Sequence, residues 1–378
     1  MKILYVTTIG LTMTFFKELT RDLLDQGHTV DIMCNEDAFS VPDCYRKWKC
    51  KIYHHNCTRS PFSPGNIRAI AQIRKLVRDE QYDIVHCHTP VAALCTRIAC
   101  IGARKRGTKV FYTAHGFHFF KGAPLKNWLL FYPVEKICSY FTDVLITINR
   151  EDYQMAQKRL KACRVEYVPG VGVDVEKFRN TQVDKKQKRA ELGIPENATM
   201  LLSVGELNRN KNQQVIIRAL AQLNNPDIHY AVVGMGGQAE ALKKLSEELG
   251  VAQQVHFLGY REDVAELCHT ADIFCFPSQR EGLGLAAVEA MAAGLSVVAA
   301  DNRGTREYMI NEETGFVCQN NDVASFADAI HKLQSDRRLR ERIGEANKWK
   351  AENFDLSKVT LQMKRIYGSA CQGSVEQR

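Results

Sequence analysis

The 378 residues are 45% apolar and 25% charged and carry a formal net charge of +8. Such a length outgrows one typical core, so two domains of roughly 150–200 residues are expected, with the composition of a soluble globular protein. No run of 18 apolar residues and no signal-peptide core is present, which argues against a membrane-spanning helix and points to the cytoplasm, with association on the cytoplasmic face of a membrane left open.

The excess charge is confined to the first half: residues 1–178 hold 26 Lys+Arg against 17 Asp+Glu, the remainder 25 against 26. A basic half attracts an anionic partner, either a lipid headgroup surface or a phosphate-bearing substrate; a merely solvated surface is the alternative. Nucleic acid is disfavoured, because no basic stripe interleaved with aromatics is visible. The 13 cysteines form no Cys-x-x-Cys and no zinc spacing, and read as reduced, mostly buried thiols.

Short β-rich apolar runs alternate with amphipathic helical stretches. Strands are expected at 3–7, 29–34, 84–88, 109–112 and 144–148, and helices at 15–25, 67–80, 90–106 and 126–140. Pro169, Gly170 and Gly172 punctuate a hinge. They divide an N-terminal domain, 1–168, from a C-terminal one, 169–354, with a last helix at about 355–370 packing back on the first. The second domain repeats the logic, with strands at 200–204, 229–233, 255–257, 273–276 and 296–299 and helices at 213–223, 239–249 and 261–270. The end, 369–378, reads as a frayed tail. This alternation predicts an α/β protein of doubly wound parallel sheets, which bind ligands at the carboxyl ends of their strands.

The most informative stretch is Arg280-Glu281-Gly282-Leu283-Gly284-Leu285-Ala286-Ala287-Val288-Glu289. Eight positions separate the carboxylates, a spacing that puts both on roughly one helix face. Free N–H groups at the helix start make an anion site beside them. Carboxylates that accept from hydroxyls, next to amides that hold phosphate, describe a nucleotide-sugar pocket. A surface Glu stabilised by the helix dipole is the bland alternative, but the small-residue helix around Glu289 packs closely and a Glu there needs polar partners.

Four histidines, His86, His88, His115 and His118, fall at strand ends in the first half. A metal site there is disfavoured for want of a nearby carboxylate, and His86 is expected to face the core. No Asp-x-Asp occurs to bridge a metal to phosphates. Gly10 is the only glycine after the first strand, so the Gly-x-Gly-x-x-Gly dinucleotide pattern is absent and a nicotinamide enzyme is disfavoured. Gly234, with Gly236 and Gly237, is a weak phosphate signal, and Tyr260 and Arg261 flank the expected nucleotide base. Residues 117–132 interleave Phe117, Phe119, Phe120, Trp128, Phe131 and Tyr132 with Lys121 and Lys126, the composition of an interfacial element; half-buried core is the competing reading.

The glutamate stretch resembles the E-x7-E signature of family 4 retaining glycosyltransferases, which have the GT-B architecture of two Rossmann-like domains facing each other across a cleft. The resemblance extends over nearly the whole chain, through His86-Cys87-His88-Thr89-Pro90, Tyr112-Thr113-Ala114-His115-Gly116, Asn302-Arg303-Gly304-Thr305 and Glu313-Thr314-Gly315. The run from Cys87 through Lys121-Gly122-Ala123-Pro124 to Glu135-Lys136 resembles the EpsD type of bacterial exopolysaccharide and capsule enzymes. By this resemblance Glu281 contacts the transferred sugar, Glu289 holds the ribose, the amides of Gly282, Leu283, Gly284 and Leu285 cradle the diphosphate, Lys211 binds it too, and His115 contacts the sugar or its phosphate. Where many members carry an arginine after the glycine equivalent to Gly205, this chain has Glu206; Arg209 is the candidate to replace that cation, against a plain surface role. The resemblance implies a metal-independent transferase with no cofactor, a nucleotide-sugar (UDP-sugar) donor and a polyprenyl-diphosphate-linked saccharide acceptor. No carboxylate is placed as a clear nucleophile, so a covalent double displacement is not supported. Two other readings stay open: a UDP-sugar epimerase on the same fold, and a non-catalytic sugar-nucleotide-binding subunit.

Overall fold

The computed structural model describes residues 1–372, which form two compact units: Met1–Val171 completed by the chain from Ser357 onward, and Gly172–Leu356. The first unit holds strands β1 (Lys2–Ile9), β2 (Thr29–Asn35), β3 (Ile52–His54), β4 (Ile84–His88), β5 (Lys109–Ala114), β6 (Val144–Thr147) and β7 (Arg164–Tyr167), paired in the order β3-β2-β1-β4-β5-β6-β7, all parallel. The second holds β8 (Thr199–Val204), β9 (Ile228–Val233), β10 (Val255–Gly259), β11 (Ile273–Phe276), β12 (Ser296–Ala300) and β13 (Gly315–Cys318), in the order β10-β9-β8-β11-β12-β13, again all parallel. In each sheet the order reverses once, between β1 and β4 and between β8 and β11. Doubly wound sheets bind ligands at that reversal, outside the carboxyl ends of the strands.

The central strands have both faces covered, so their runs are mostly apolar rather than alternating. In the first unit Leu4, Val6, Val85 and Cys87 pack with Ala69 and Ile73 of the helix Gly65–Glu80 and with Ala92 of the helix Pro90–Ala99. Ile3, Tyr5, Ile84 and Phe111 face the other way, onto Val359, Met363, Ile366 and Tyr367 of the last helix, Leu356–Gln372. Tyr367 also takes part in the buried polar layer, its Oη 2.8 Å from Tyr5 Oη and 2.5 Å from His86 Nδ1. In the second unit Leu201, Tyr230, Val232, Ile273 and Val298 pack with Ile216 and Leu220 of the helix Gln214–Leu223 and with Phe326 and Ile330 of the helix Val323–Ser335.

Local departures from the expected elements have local causes. The helix expected from residue 15 begins at Lys17, after a 3-10 turn over Gly10–Phe16. The helix expected over 90–106 breaks at Cys100 into Pro90–Ala99 and Ile101–Arg104. The one expected from Arg261 starts at Val264, because Arg261 is drawn into ion pairs with Glu191 and Asp263 at 2.7 and 2.6 Å. The frayed tail expected from Ser369 is helical as far as Gln372; positions 373–378 lie outside the described residues.

The helix Leu125–Ser139 is fixed by a buried fork: Arg97 Nη1 and Nη2 donate to Glu135 at 2.8 and 3.1 Å, with the guanidinium over the Tyr112 ring. The interfacial reading of the 117–132 aromatics needs correction. Phe117 and Phe119 are buried, and Trp128, Phe131 and Tyr132 pack against the core. All described cysteines with assigned states are unpaired, and only Cys44 and Cys163 among them are not buried.

Candidate active site

Lys211 lies in the loop after β8 and Glu281 in the loop after β11, the two strands that flank the reversal of the second sheet. Lys211 Nζ donates to Glu281 Oε1 at 2.7 Å, and both side chains are mostly buried. The lysine loop is shaped locally: Asn208 Oδ1 accepts from the Lys211 N–H at 3.0 Å, and Asn212 takes a left-handed φ of 56°. Asn210 ties the two loops together. Its carbonyl accepts from the Gln279 N–H at 2.8 Å and its amide donates to the Arg280 carbonyl at 2.9 Å. Asn302, buried after β12, braces the glutamate loop from the other side by donating to the Ser278 carbonyl at 2.8 Å, and Arg303 Nε donates to the Glu281 carbonyl at 3.4 Å.

Glu281 and Glu289 do not share a helix face, as the eight-residue spacing had suggested. The helix runs Leu285–Ala292 and its cap residue, Gly284, stands at φ 93°, so Glu281 sits in the preceding loop. A side chain at Gly284 would meet the Phe276 ring at 2.6 Å and the Tyr308 hydroxyl at 2.9 Å. Only glycine accepts both that φ and that contact. No side chain caps the helix start at Leu285. First-turn N–H groups have no intrahelical partner, and the helix dipole favours negative charge there.

Glu289 is part-buried inside this helix and has no side-chain hydrogen-bond or ion-pair partner among the described residues. Burial raises its carboxyl from 4.5 to about 7, against a small opposing pull from Lys177. A part-buried carboxyl with no protein partner is open to hydroxyl donors.

Other expected donor-site residues are placed less directly. Gly234 and Gly236 let the loop after β9 lie against the loop after β8. A Cβ on Gly234 would come within 2.0 Å of the Gly205 carbonyl oxygen, and one on Gly236 within 2.4 Å of that of Leu207. Arg209 and Tyr260 are exposed. Gly10 belongs to the first unit and is buried, its Cβ position 2.4 Å from the Val41 nitrogen, so it serves the packing of the 39–41 segment onto β1.

His115, after β5, accepts or donates one hydrogen bond through Nε2 to His88 Nδ1 at 3.2 Å. Burial lowers His115 to about 4, and lowers His88 too. His88 Nε2 is buried without a partner. His86 faces the core, held by Thr113 Oγ1 at 2.8 Å and by Tyr367. His118 stacks on Phe131 with ring centroids 4.7 Å apart. Sequence reasoning missed Asn210, Asn302 and Tyr308 as braces of the glutamate loop; their contacts are long-range and leave no periodic signal.

Two all-parallel doubly wound sheets, with a lysine–glutamate pair and an uncapped helix start at the reversal of the second, fit the two-Rossmann class of glycosyltransferase. The comparisons agree: residues 13–177 match the description "Glycosyltransferase Family 4" and residues 184–350 "Glycosyl transferases group 1". The chain is 41% identical over 315 residues to "Putative glycosyltransferase EpsD" of Bacillus subtilis (strain 168), covering 82% of this chain and 83% of that one. It is 28% identical to the Escherichia coli "UDP-Gal:alpha-D-GlcNAc-diphosphoundecaprenol alpha-1,3-galactosyltransferase", covering 80% and 79%. Anabaena Alr3699/HepE, solved in complex with UDP, shares its fold with a TM-score of 0.82 at 22% identity, covering 98% and 100%. The protein belongs to glycosyltransferase family 4 and is an enzyme of that class.

Proposed function

We propose that this glycosyltransferase moves a hexosyl or N-acetylhexosaminyl group from a UDP-sugar to a polyprenyl-diphosphate-linked saccharide, with retention of anomeric configuration, in bacterial exopolysaccharide or capsule assembly. The observation that carries the donor half is the part-buried Glu289, without a side-chain partner among the described residues, in the helix directly after the loop that holds Glu281 of the Lys211–Glu281 pair. Glu289 accepts the ribose hydroxyls, and the amides from Gly282 to Leu285 hold the diphosphate. Lys211, now paired with Glu281, turns to the diphosphate and offsets the charge that builds on the leaving nucleotide. Glu281, released, accepts from the sugar hydroxyls. His115, neutral at physiological pH, exchanges a hydrogen bond with the sugar or its phosphate. The acceptor hydroxyl attacks from the face the nucleotide leaves, and its proton passes to the departing phosphate. Lysine and helix amides do the work a metal does elsewhere, so the reaction is metal-independent.

The acceptor half draws support from the diphosphoundecaprenol-linked substrate in the name of the Escherichia coli relative. The test is purified protein with a panel of UDP-sugars and a short-chain polyprenyl-diphosphate monosaccharide, the product read by mass and by the anomeric coupling in NMR. An α-linked disaccharide from an α-donor is expected. UDP release with an epimerised free sugar and no need of acceptor would overturn the proposal in favour of an epimerase.

A further inference from the structure

We infer that the outward face of the helix Leu125–Ser139 is a docking surface for an anionic lipid bilayer. This deepens the lipid-linked acceptor reading, on which it rests only for its purpose. Of the sixteen large apolar side chains exposed among the described residues, six lie on this helix and the residue after it: Leu125, Leu129, Leu130, Val134, Ile137 and Tyr140. Leu125 is 73% exposed, Leu129 68% and Ile137 61%. Soluble surfaces rarely gather apolar side chains in this way without a partner.

The charge on the same face is of one sign. Its exposed charged residues are Lys126 and Lys136. The helix has a single acid, Glu135, and that side chain is turned inward into the buried fork with Arg97. The Arg97–Glu135 pair therefore fixes the rotation of the helix so that leucines and lysines point out and the carboxylate does not. Leucine bodies with lysine heads between them match an acyl–headgroup boundary carrying anionic lipid. A second copy of the same face would oppose Lys126 and Lys136 with their own like charges. At 15 residues the helix is about 22 Å long, short of the hydrocarbon core, and its other face is packed on the unit. It lies in the interface plane and does not cross it; no described helix is long and apolar enough to do so.

The experiment is flotation of the full chain with vesicles of phosphatidylcholine alone and of phosphatidylcholine mixed with phosphatidylglycerol, beside the L129S/L130S and K126E/K136E double variants. All four positions are exposed, so the variants are expected to melt as the wild type does. The wild type binds the anionic vesicles, and each variant binds at least tenfold less. UDP-induced thermal stabilisation serves as a separate readout. Its absence alongside intact vesicle binding would count against the donor reading and leave this one supported. Failure of the wild type to float, equal flotation of variants and wild type, or a salt-independent dimer abolished by L129S/L130S in place of vesicle binding would each overturn the inference.

Discussion

Glu289→Gln separates what the site needs from what the fold needs. In the native chain burial holds this carboxyl at about 7, against 4.5 in the unfolded chain. Below pH 4.5 both states carry the proton and the group contributes nothing. Between pH 4.5 and 7 the unfolded chain releases its proton while the native site keeps it, so stability falls as pH rises, and the full cost is present above 7. At about 1.36 kcal/mol per pH unit, the rise from 4.5 to about 7 amounts to about 3 kcal/mol. Glutamine abolishes the titration at nearly the same volume. The variant should therefore be more stable than the wild type by up to about 3 kcal/mol at pH 8, or roughly 6–12 °C in the melting of a unit of this size. At pH 4.5 the two should coincide. Affinity for UDP should move the other way. Accepting from both ribose hydroxyls needs the ionised carboxylate, so wild-type affinity should rise by up to tenfold per pH unit below about 7 and then level, while the variant binds weakly at every pH. Scanning calorimetry at the two pH values and titration calorimetry across the range provide the measurements. Coincident melting at pH 8, or UDP affinity that is flat from pH 5.5 to 7.5, would refute the reasoning.

Lys211→Ala should lower kcat by about 10²–10³, the usual cost of one preorganised charge at a leaving group, read as UDP release in the presence of acceptor; an unchanged kcat would remove Lys211 from the mechanism. Gly284→Ala should destabilise the second unit by at least about 2 kcal/mol in urea unfolding, because the left-handed φ and the 2.6 Å approach of Phe276 both oppose a Cβ. Turnover should survive EDTA; loss that magnesium or manganese restores would contradict the metal-independent mechanism.

The parallel architecture was legible because fully buried strands read as short apolar runs between amphipathic helices, and Gly27 and Gly107 mark helix ends. β3, β7 and β13 were not read: two have three or four part-exposed residues and all three lie at or near sheet edges. Lys211 and Glu281 were legible as motif positions, but their contact was not, since 70 residues separate them and the pairing of β8 with β11 brings them together. Glu281 and Glu289 do not share a face because the left-handed turn at Gly284 starts the helix later than an apolar pattern reveals. The aromatic composition of 117–132 suggests an interfacial segment, whereas those side chains pack inward and the aliphatic ones between and after them face out. Sequence composition cannot tell the two faces apart until the Arg97–Glu135 fork sets the helix rotation.

The return of the last helix to the first unit has a consequence for synthesis. Tyr367 closes a polar layer with Tyr5 and His86, and Val359, Met363 and Ile366 cover one face of the first sheet. On the ribosome that sheet emerges first yet lacks its cover until the chain from Ser357 appears, about 185 residues after Val171, roughly 10–40 s later at 5–20 residues per second. The unit Gly172–Leu356 is continuous and can finish earlier. Of the two units, the one made first is therefore the one that must wait, with Ile3, Tyr5, Ile84 and Phe111 open to solvent or to a chaperone in the meantime.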